Sequence, residues 1–369
     1  MRSFDVIICG GGIIGPALGY GTARAGASTL MLDEGDKAFR AARGNFGLVW
    51  FHAKGLGCQA YSDWTRQSVD LYPAFSRQLK NDVGIDIDLK QNGGLEVCLS
   101  DEEAQMFKSE IETMASQSTD GAYSSKFIDP QQANEILNGL KLGPEVVGAV
   151  YCPLSGHVSP LKLLNALHAG FQKYGGVYQA SSTVKEIIPS GEGFTIKTNT
   201  ESFSCKRVVI AAGLGVTTLA PQVGLNIPVF PERGQILVSE RIQPVLPLAI
   251  SGIRQTEEGS ILMGASNEDV GFNSDTTGAV TTNIAKRAVA TFPVLGNLNL
   301  VRTWGALRVL TPDHNPVYDQ SSVHPGAFAA TSHSGVTLAA TNVDCAADWI
   351  LEGRAPELFQ SFTSDRFSS

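Results

Sequence analysis

Phe4-Asp5-Val6-Ile7-Ile8-Cys9-Gly10-Gly11-Gly12-Ile13-Ile14-Gly15-Pro16-Ala17-Leu18 reads as a buried strand, a glycine turn and the start of a helix. The unbroken apolar run from Val6 to Cys9 suits a parallel strand covered on both faces. Gly10, Gly12 and Gly15 fit the pattern G-x-G-x-x-G. The first glycine allows a tight turn, the second admits a pyrophosphate against the backbone, and the third lets helix pack on strand. Ile14, Ala17, Leu18, Gly21 and Ala25 follow at helical spacing, so the N–H groups around Ile13 and Ile14 would face phosphates. Pro16 falls in the first turn, where its missing N–H costs little.

In a chain of 39 glycines the triplet needs its context. A second strand, Ser28-Thr29-Leu30-Met31-Leu32-Asp33, ends in an acid roughly 20 residues past the turn, where a ribose-binding carboxylate belongs. Glu34 stands beside it. The pair of strands marks a dinucleotide site.

The chain has 369 residues, enough for a sizeable core and two domains, and its 43% hydrophobic and 17% charged content fits a compact enzyme. A net charge of −8 provides no basic footprint for nucleic acid and a poor match for anionic lipid. The strand begins at the N-terminus without a visible leader, and the first apolar run is too short to span a bilayer. The six cysteines are scattered without a C-x-x-C, which supports neither zinc, nor an iron–sulfur cluster, nor a disulfide reductase. A reducing cytoplasm is the expected compartment.

Along the chain, Ala41 to Gly47 is a small-residue loop in which Arg43 and Asn45 could wrap the rest of a large dinucleotide, the alternative being an ordinary surface loop. In Trp50-Phe51-His52-Ala53-Lys54-Gly55, His52 and Lys54 are candidate substrate contacts, although a lone His is more often a structural hydrogen-bonder. Tyr61 to Leu79 reads as an amphipathic helix, 86–99 as a hairpin around Gly93-Gly94, 101–114 as a solvated helix and 117–125 as a loop. Strands are expected at 148–152, 177–180, 183–188, 208–213, 235–239, 260–265, 301–307 and 327–331. The alternating segments 193–200 and 202–207 read as a hairpin, and helices fall at 161–174, 279–290 and 338–351. Val208-Val209-Ile210-Ala211-Ala212-Gly213 repeats the N-terminal theme and should lie beside the first strand, bringing Ala212 and Gly213 near the cofactor.

Over nearly its full length the chain resembles the glycine oxidase/D-amino-acid oxidase family of flavoproteins. The resemblance rests on Gly10 to Gly15, Asp33, Asn45-x-Gly47, Val208 to Gly213, Arg233-Gly234-Gln235, Gly305-Ala306-Leu307-Arg308 and Ser332-His333-Ser334-Gly335, in that order. Within the family, the segments around Leu48 to Gly55, Trp64, Gly93-Gly94-Leu95 and His333 to Leu338 look most like β subunits of opine oxidases. Hydrogen cyanide synthase and D-hydroxyproline dehydrogenase subunits are near in pattern.

The resemblance implies an α/β fold: a Rossmann-like FAD-binding domain of the glutathione-reductase type and a second, antiparallel-sheet substrate domain. The first would comprise 1–82, 147–219 and 301–369, and the second 83–146 and 220–300. It further implies FAD, with Gly47 and Leu48 in the cofactor loop and Val184 at its adenine end. Asp33 replaces the usual glutamate, and a shorter carboxylate still reaches ribose hydroxyls. The family's Gly-Leu-Arg-Pro reads Ala306-Leu307-Arg308-Val309 here, without the proline. Arg308 is carried over as the substrate-carboxylate clamp beside the flavin, a role suited to a bidentate, permanently charged guanidinium. Ser334, Gly335, Val336 and Thr337 would present N–H groups at a helix start to the reduced ring, with His333 touching flavin or substrate. His52 or Arg254 could tune the site.

The implied reaction is oxidation of the C–N bond of an amino acid or opine-like secondary amine, giving an imine that water hydrolyses. The electron acceptor would be a partner subunit carrying another flavin, including an FMN at a subunit interface, or an iron–sulfur cluster. Alternatives are a stand-alone glycine or D-amino-acid oxidase releasing peroxide, and a D-hydroxyproline-type dehydrogenase.

Overall fold

A computed structural model describes residues 1–35, 41–118, 123–191 and 193–367. Two eight-stranded sheets organise the chain. In the first, strands Ala327–Thr331, Ser202–Ile210, Arg2–Cys9, Thr29–Leu32 and Val177–Gln179 lie side by side and parallel, with Val317–Gln320 antiparallel at the edge.

The period of two explains the apolar runs. Val6 and Ile8 point into one cluster with Met31, Val209 and Phe328, under helices Ile14–Arg24, Gln59–Val83, Pro160–Lys173 and Ala339–Ala346. Ile7 and Cys9 point the other way, with Leu30, Val208 and Ala329, under the short helix Val216–Leu219 and the strands Val184–Ser190 and Gly193–Thr198. Both faces are covered, so alternation with polar residues has no place here. Trp64 pins the C-terminal segment, donating from Nε1 to Thr341 Oγ1 at 2.9 Å and packing on Tyr318, Phe359 and Phe362.

The second sheet runs Leu300–Leu310, Phe230–Arg241, Ser260–Gly264, Ile253–Gln255, Ala249–Ile250, Gly94–Cys98, Gly148–Cys152 and Lys126–Ile128. It is antiparallel except between Ala249–Ile250 and Gly94–Cys98. Its outer face carries Leu95, Val97, Leu237, Ile253 and Met263, packed beneath helices Gly278–Thr291 and Pro130–Ile136. The alternate residues Glu96, Gly234, Arg254 and Leu262 therefore face inward, toward the first sheet's side of the molecule.

Three expectations differ. The hairpin over 86–99 does not form: only Gly94–Cys98 is strand, paired with Gly148–Cys152 and Ala249–Ile250. Leu95 and Val97 find apolar cover in the large sheet that a local two-stranded ribbon could not supply. Strands Gly148–Cys152 and Leu300–Leu310 also hydrogen-bond in the second sheet, although they fall inside the segments 147–219 and 301–369 expected in the first domain. These two crossings between sheets thus lie a strand later than the resemblance implied. Helix Asp101–Gln117 outruns its expected end, and of the loop read over 117–125, residues 119–122 lie outside the described residues.

Candidate active site

Only glycine fits the turn after the first strand. Gly10 has φ +119°, and a Cβ there would sit 2.3 Å from the Ala211 carbonyl oxygen; one on Gly15 would sit 1.9 Å from that of Gly10. A Cβ on Gly12, by contrast, would meet nothing closer than 3.9 Å, so that side of the turn is open. The helix behind it has no side-chain cap, and among the described residues the N–H groups of Gly12, Ile13, Ile14 and Gly15 meet no acceptor. Those orphan donors around an open concavity fit the pyrophosphate of the FAD that the resemblance implies.

Asp33 Oδ2 accepts from the Gly11 N–H at 2.8 Å and Oδ1 from the Gly35 N–H at 2.9 Å, so the carboxylate braces the turn it was expected to serve. His168 Nε2 donates to the Gly11 carbonyl at 3.0 Å, a contact with no counterpart among the expected site residues. Glu34 and Arg43 are exposed, and Val184 opens its strand half-buried. Asn45 Oδ1 accepts from the Gly47 N–H at 2.7 Å, folding the loop that leads into Leu48, itself paired with His157. Ala212 lies against the Gly10 turn and Gly213 has φ +56°.

The turn from His333 to Leu338 is held from the facing helix Gln59–Val83. Tyr61 Oη donates to Ser334 Oγ at 2.6 Å, Tyr72 Oη to the Val336 carbonyl, and Ser68 Oγ to the Thr337 carbonyl at 2.7 Å. Thr337 Oγ1 donates to the Leu48 carbonyl and accepts from the Trp50 N–H, both at 3.2 Å. The N–H groups of Gly335, Val336 and Thr337 meet no acceptor among the described residues. Ser68 and Tyr72 were legible in principle, as polar residues at helical spacing on the buried face.

Arg308 stands on the inner face of the second sheet, opposite Glu232. Its Nη1 donates to Glu232 Oε1 at 2.9 Å and to the Ser266 carbonyl at 2.8 Å, while Nη2 and Nε have no acceptor among the described residues. Gly234 makes room for it, because a Cβ there would lie 2.5 Å from Nη2. The neighbouring Arg233 and Gln235 point outward, where both bond Glu268.

Lys54 and His333 share this space. Burial pushes the Lys54 ammonium down to about 8, with Glu96 opposing and the Arg308 charge adding to the fall. Burial and the charges of Lys54 and Arg308 likewise hold the His333 imidazole well below its ordinary value. By accessible surface Lys54 and Arg308 are only half-buried and His333 is exposed, so all three keep atoms open to a bound molecule.

His52 and Arg254 are not brought to Arg308. His52 is 2% exposed; Tyr123 Oη, which accepts the Ala53 N–H at 2.8 Å, is hydrogen-bonded to His52 Nδ1 at 3.0 Å. Its Nε2 then faces Glu96 and Glu110 at 3.9 and 4.0 Å, and burial pushes the imidazole down to about 4. Arg254 lies three strands away from Arg308, donates from Nε to the Phe46 carbonyl and supports the loop under Gly47.

The model of the DAO family, FAD dependent oxidoreductase, matches residues 5–349. The chain is similar to a subunit of the opine oxidase of Rhizobium meliloti, 40% identical over 100% of this chain and 99% of the relative. It is also similar to a hydrogen cyanide synthase subunit of Pseudomonas protegens, 26% identical over 90% of this chain and 88% of the relative. In fold it matches glycine oxidase from Geobacillus kaustophilus, with TM-score 0.90, 24% identity and 98% of each chain covered. L-proline dehydrogenase from P. horikoshii matches at TM-score 0.85 and 22% identity, covering 100% of this chain and 98% of the other. With the glycine turn, the second turn and Arg308 in one interface, the chain belongs to the DAO family of FAD-dependent oxidoreductases.

Proposed function

We propose that the chain oxidises the C–N bond of an N-substituted amino acid, an opine-like secondary amine joining two acid fragments. The observation that carries this reading is the guanidinium edge of Arg308 left without an acceptor among the described residues, on the inner face of the second sheet, while Glu232 and Ser266 hold the other edge. The 40% identity to a subunit of opine oxidase favours the secondary amine over a primary one.

When bound, FAD supplies the two-electron acceptor for hydride leaving the α-carbon. Gly12 to Gly15 would hold the pyrophosphate, and the Gly335 to Thr337 N–H groups would stabilise negative charge on the ring. Arg308 Nη2 and Nε would offer two donors to the substrate carboxylate and so hold the α-carbon in one orientation. The substrate nitrogen must be neutral when hydride leaves. The product imine is hydrolysed by water to an amino acid and a keto acid.

Anaerobic addition of N-substituted amino acids should bleach the oxidised flavin spectrum; bleaching by none of them overturns the reading. A second reading concerns the electrons. The relatives named as subunits favour transfer to partner chains, whereas glycine oxidase, 25% identical in Geobacillus kaustophilus, favours direct peroxide release. Peroxide from the isolated chain supports the second; co-purified subunits, with their flavin, FMN and iron content, support the first. The six cysteines are unpaired, which favours a reducing cytoplasm, and among the described residues no helix is long and apolar enough to cross a membrane.

A further inference from the structure

Lys54 sits on a turn with little freedom. The Trp50 N–H is tied to Thr337 Oγ1 at 3.2 Å, the Ala53 N–H to Tyr123 Oη at 2.8 Å, and the Lys54 N–H to the Phe51 carbonyl at 3.1 Å. The Gly55 carbonyl accepts from Gln117 Nε2 at 2.6 Å, and a Cβ on Gly55 would lie 2.3 Å from the Ser62 nitrogen. A long, flexible side chain thus starts from a fixed base beside the turn at His333 to Leu338.

At its tip, Nζ makes no hydrogen bond or ion pair among the described residues. Glu96 is the acid that acts on it, but that carboxylate is engaged elsewhere, accepting from Ser251 Oγ at 3.0 Å and facing His52 Nε2 at 3.9 Å. Arg308, with one edge answered by Glu232, is the other cation in the space. Arg308 and Lys54 are half-buried and act on one another as like charges, so they repel, and an anion between them relieves both. Arg308 answers one carboxylate; a second anionic group is what Lys54 lacks.

We propose that Lys54 binds a second carboxylate of the substrate, so that the site selects secondary amines bearing two carboxylates, one held by Arg308 and one by Lys54. The inference rests on the reading of Arg308 given above. It makes Lys54 a specificity-determining residue and separates this site from one built for a monocarboxylate such as N-methylglycine.

The test compares iminodiacetate, with two carboxylates, and N-methylglycine, with one, on the flavin-loaded enzyme. K54M should lower the ratio of kcat/KM for iminodiacetate to that for N-methylglycine roughly 10- to 100-fold, through KM. K54R should restore most of that ratio. Because Glu96, Arg308 and His333 face Lys54 and its ammonium falls to about 8, the wild-type ratio should drop above that pH and the K54R ratio should not. A ratio unmoved in K54M overturns the proposal, as does a ratio lost equally in K54M and K54R. Calorimetric binding of iminodiacetate keeps the two readings apart: if neither amine reduces the flavin, the oxidation reading fails, and a K54M affinity equal to wild type sinks Lys54 independently.

Discussion

The Ser68 hydroxyl donates to the Thr337 carbonyl oxygen at 2.7 Å, across 269 residues of sequence. With Tyr72 on Val336 and Tyr61 on Ser334, it fixes the carbonyl side of the turn and leaves the N–H side of Gly335, Val336 and Thr337 without acceptors among the described residues. One helix face therefore orients these three N–H donors, which in the proposed reading would face the flavin.

Removing these hydroxyls leaves buried carbonyls without their donors. Ser68→Ala and Tyr72→Phe should each cost about 1–2 kcal/mol of stability. Each should also speed flavin loss on dialysis. Melting curves and the flavin-to-protein absorbance ratio read both effects; unchanged flavin retention would show that the turn does not need this support.

Gly234 should matter through Arg308 alone. A Cβ 2.5 Å from Nη2 must displace a guanidinium whose other edge is pinned by Glu232 and Ser266. Gly234→Ala should retain FAD with its visible spectrum intact while kcat/KM falls about tenfold or more, since small misplacements of a positioning group are costly. Steady-state kinetics beside the spectrum decide it.

Arg308→Lys keeps a charge but loses the fork. Truncating a charged partner of this kind costs about 2–5 kcal/mol, so kcat/KM should fall roughly 30- to 5,000-fold. A fall below tenfold would reduce Arg308 to the structural partner of Glu232.

Glu96 should make stability depend on pH. Burial pushes its carboxyl up to about 7, with Glu110 adding to the rise and the Ser251 hydrogen bond opposing it. The unfolded chain releases this proton near the ordinary 4.5 and the folded chain holds it longer, so the folded state binds more protons between those values. Stability from this group is full below 4.5 and declines as pH rises toward 7, by at most about 3 kcal/mol. Glu96→Gln should flatten that decline and melt higher than wild type at pH 8; melting temperatures at pH 5 and pH 8 give the comparison.

Much of the cofactor side was legible in the chain itself. Gly10 and Gly15 belong to a turn whose shape is set within a few residues, and the two-sided burial of Val6 to Cys9 is written in an apolar run with no alternation. Val208 to Ile210 beside the first strand followed from the same signal, as did every long helix. Those patterns depend on sterics and periodicity over a few turns of chain, which a sequence carries directly.

The substrate side was decided only by tertiary structure. Gly94–Cys98 looks like half of a local hairpin, but its partners lie at 148–152 and 249–250, because Leu95 and Val97 need a sheet wide enough to bury them. Nothing near Gly234 in sequence says that it clears space for Arg308, and nothing near Lys54 says that the charges of Arg308 and Lys54 both act on His333. His52 and Lys54 looked equivalent two residues apart, yet one is sealed against Tyr123 and the other is half-buried with no hydrogen-bond partner among the described residues. Local spacing governs which element a residue joins; which charges end up facing one another depends on how two sheets close, and that is settled by burial summed over the whole chain.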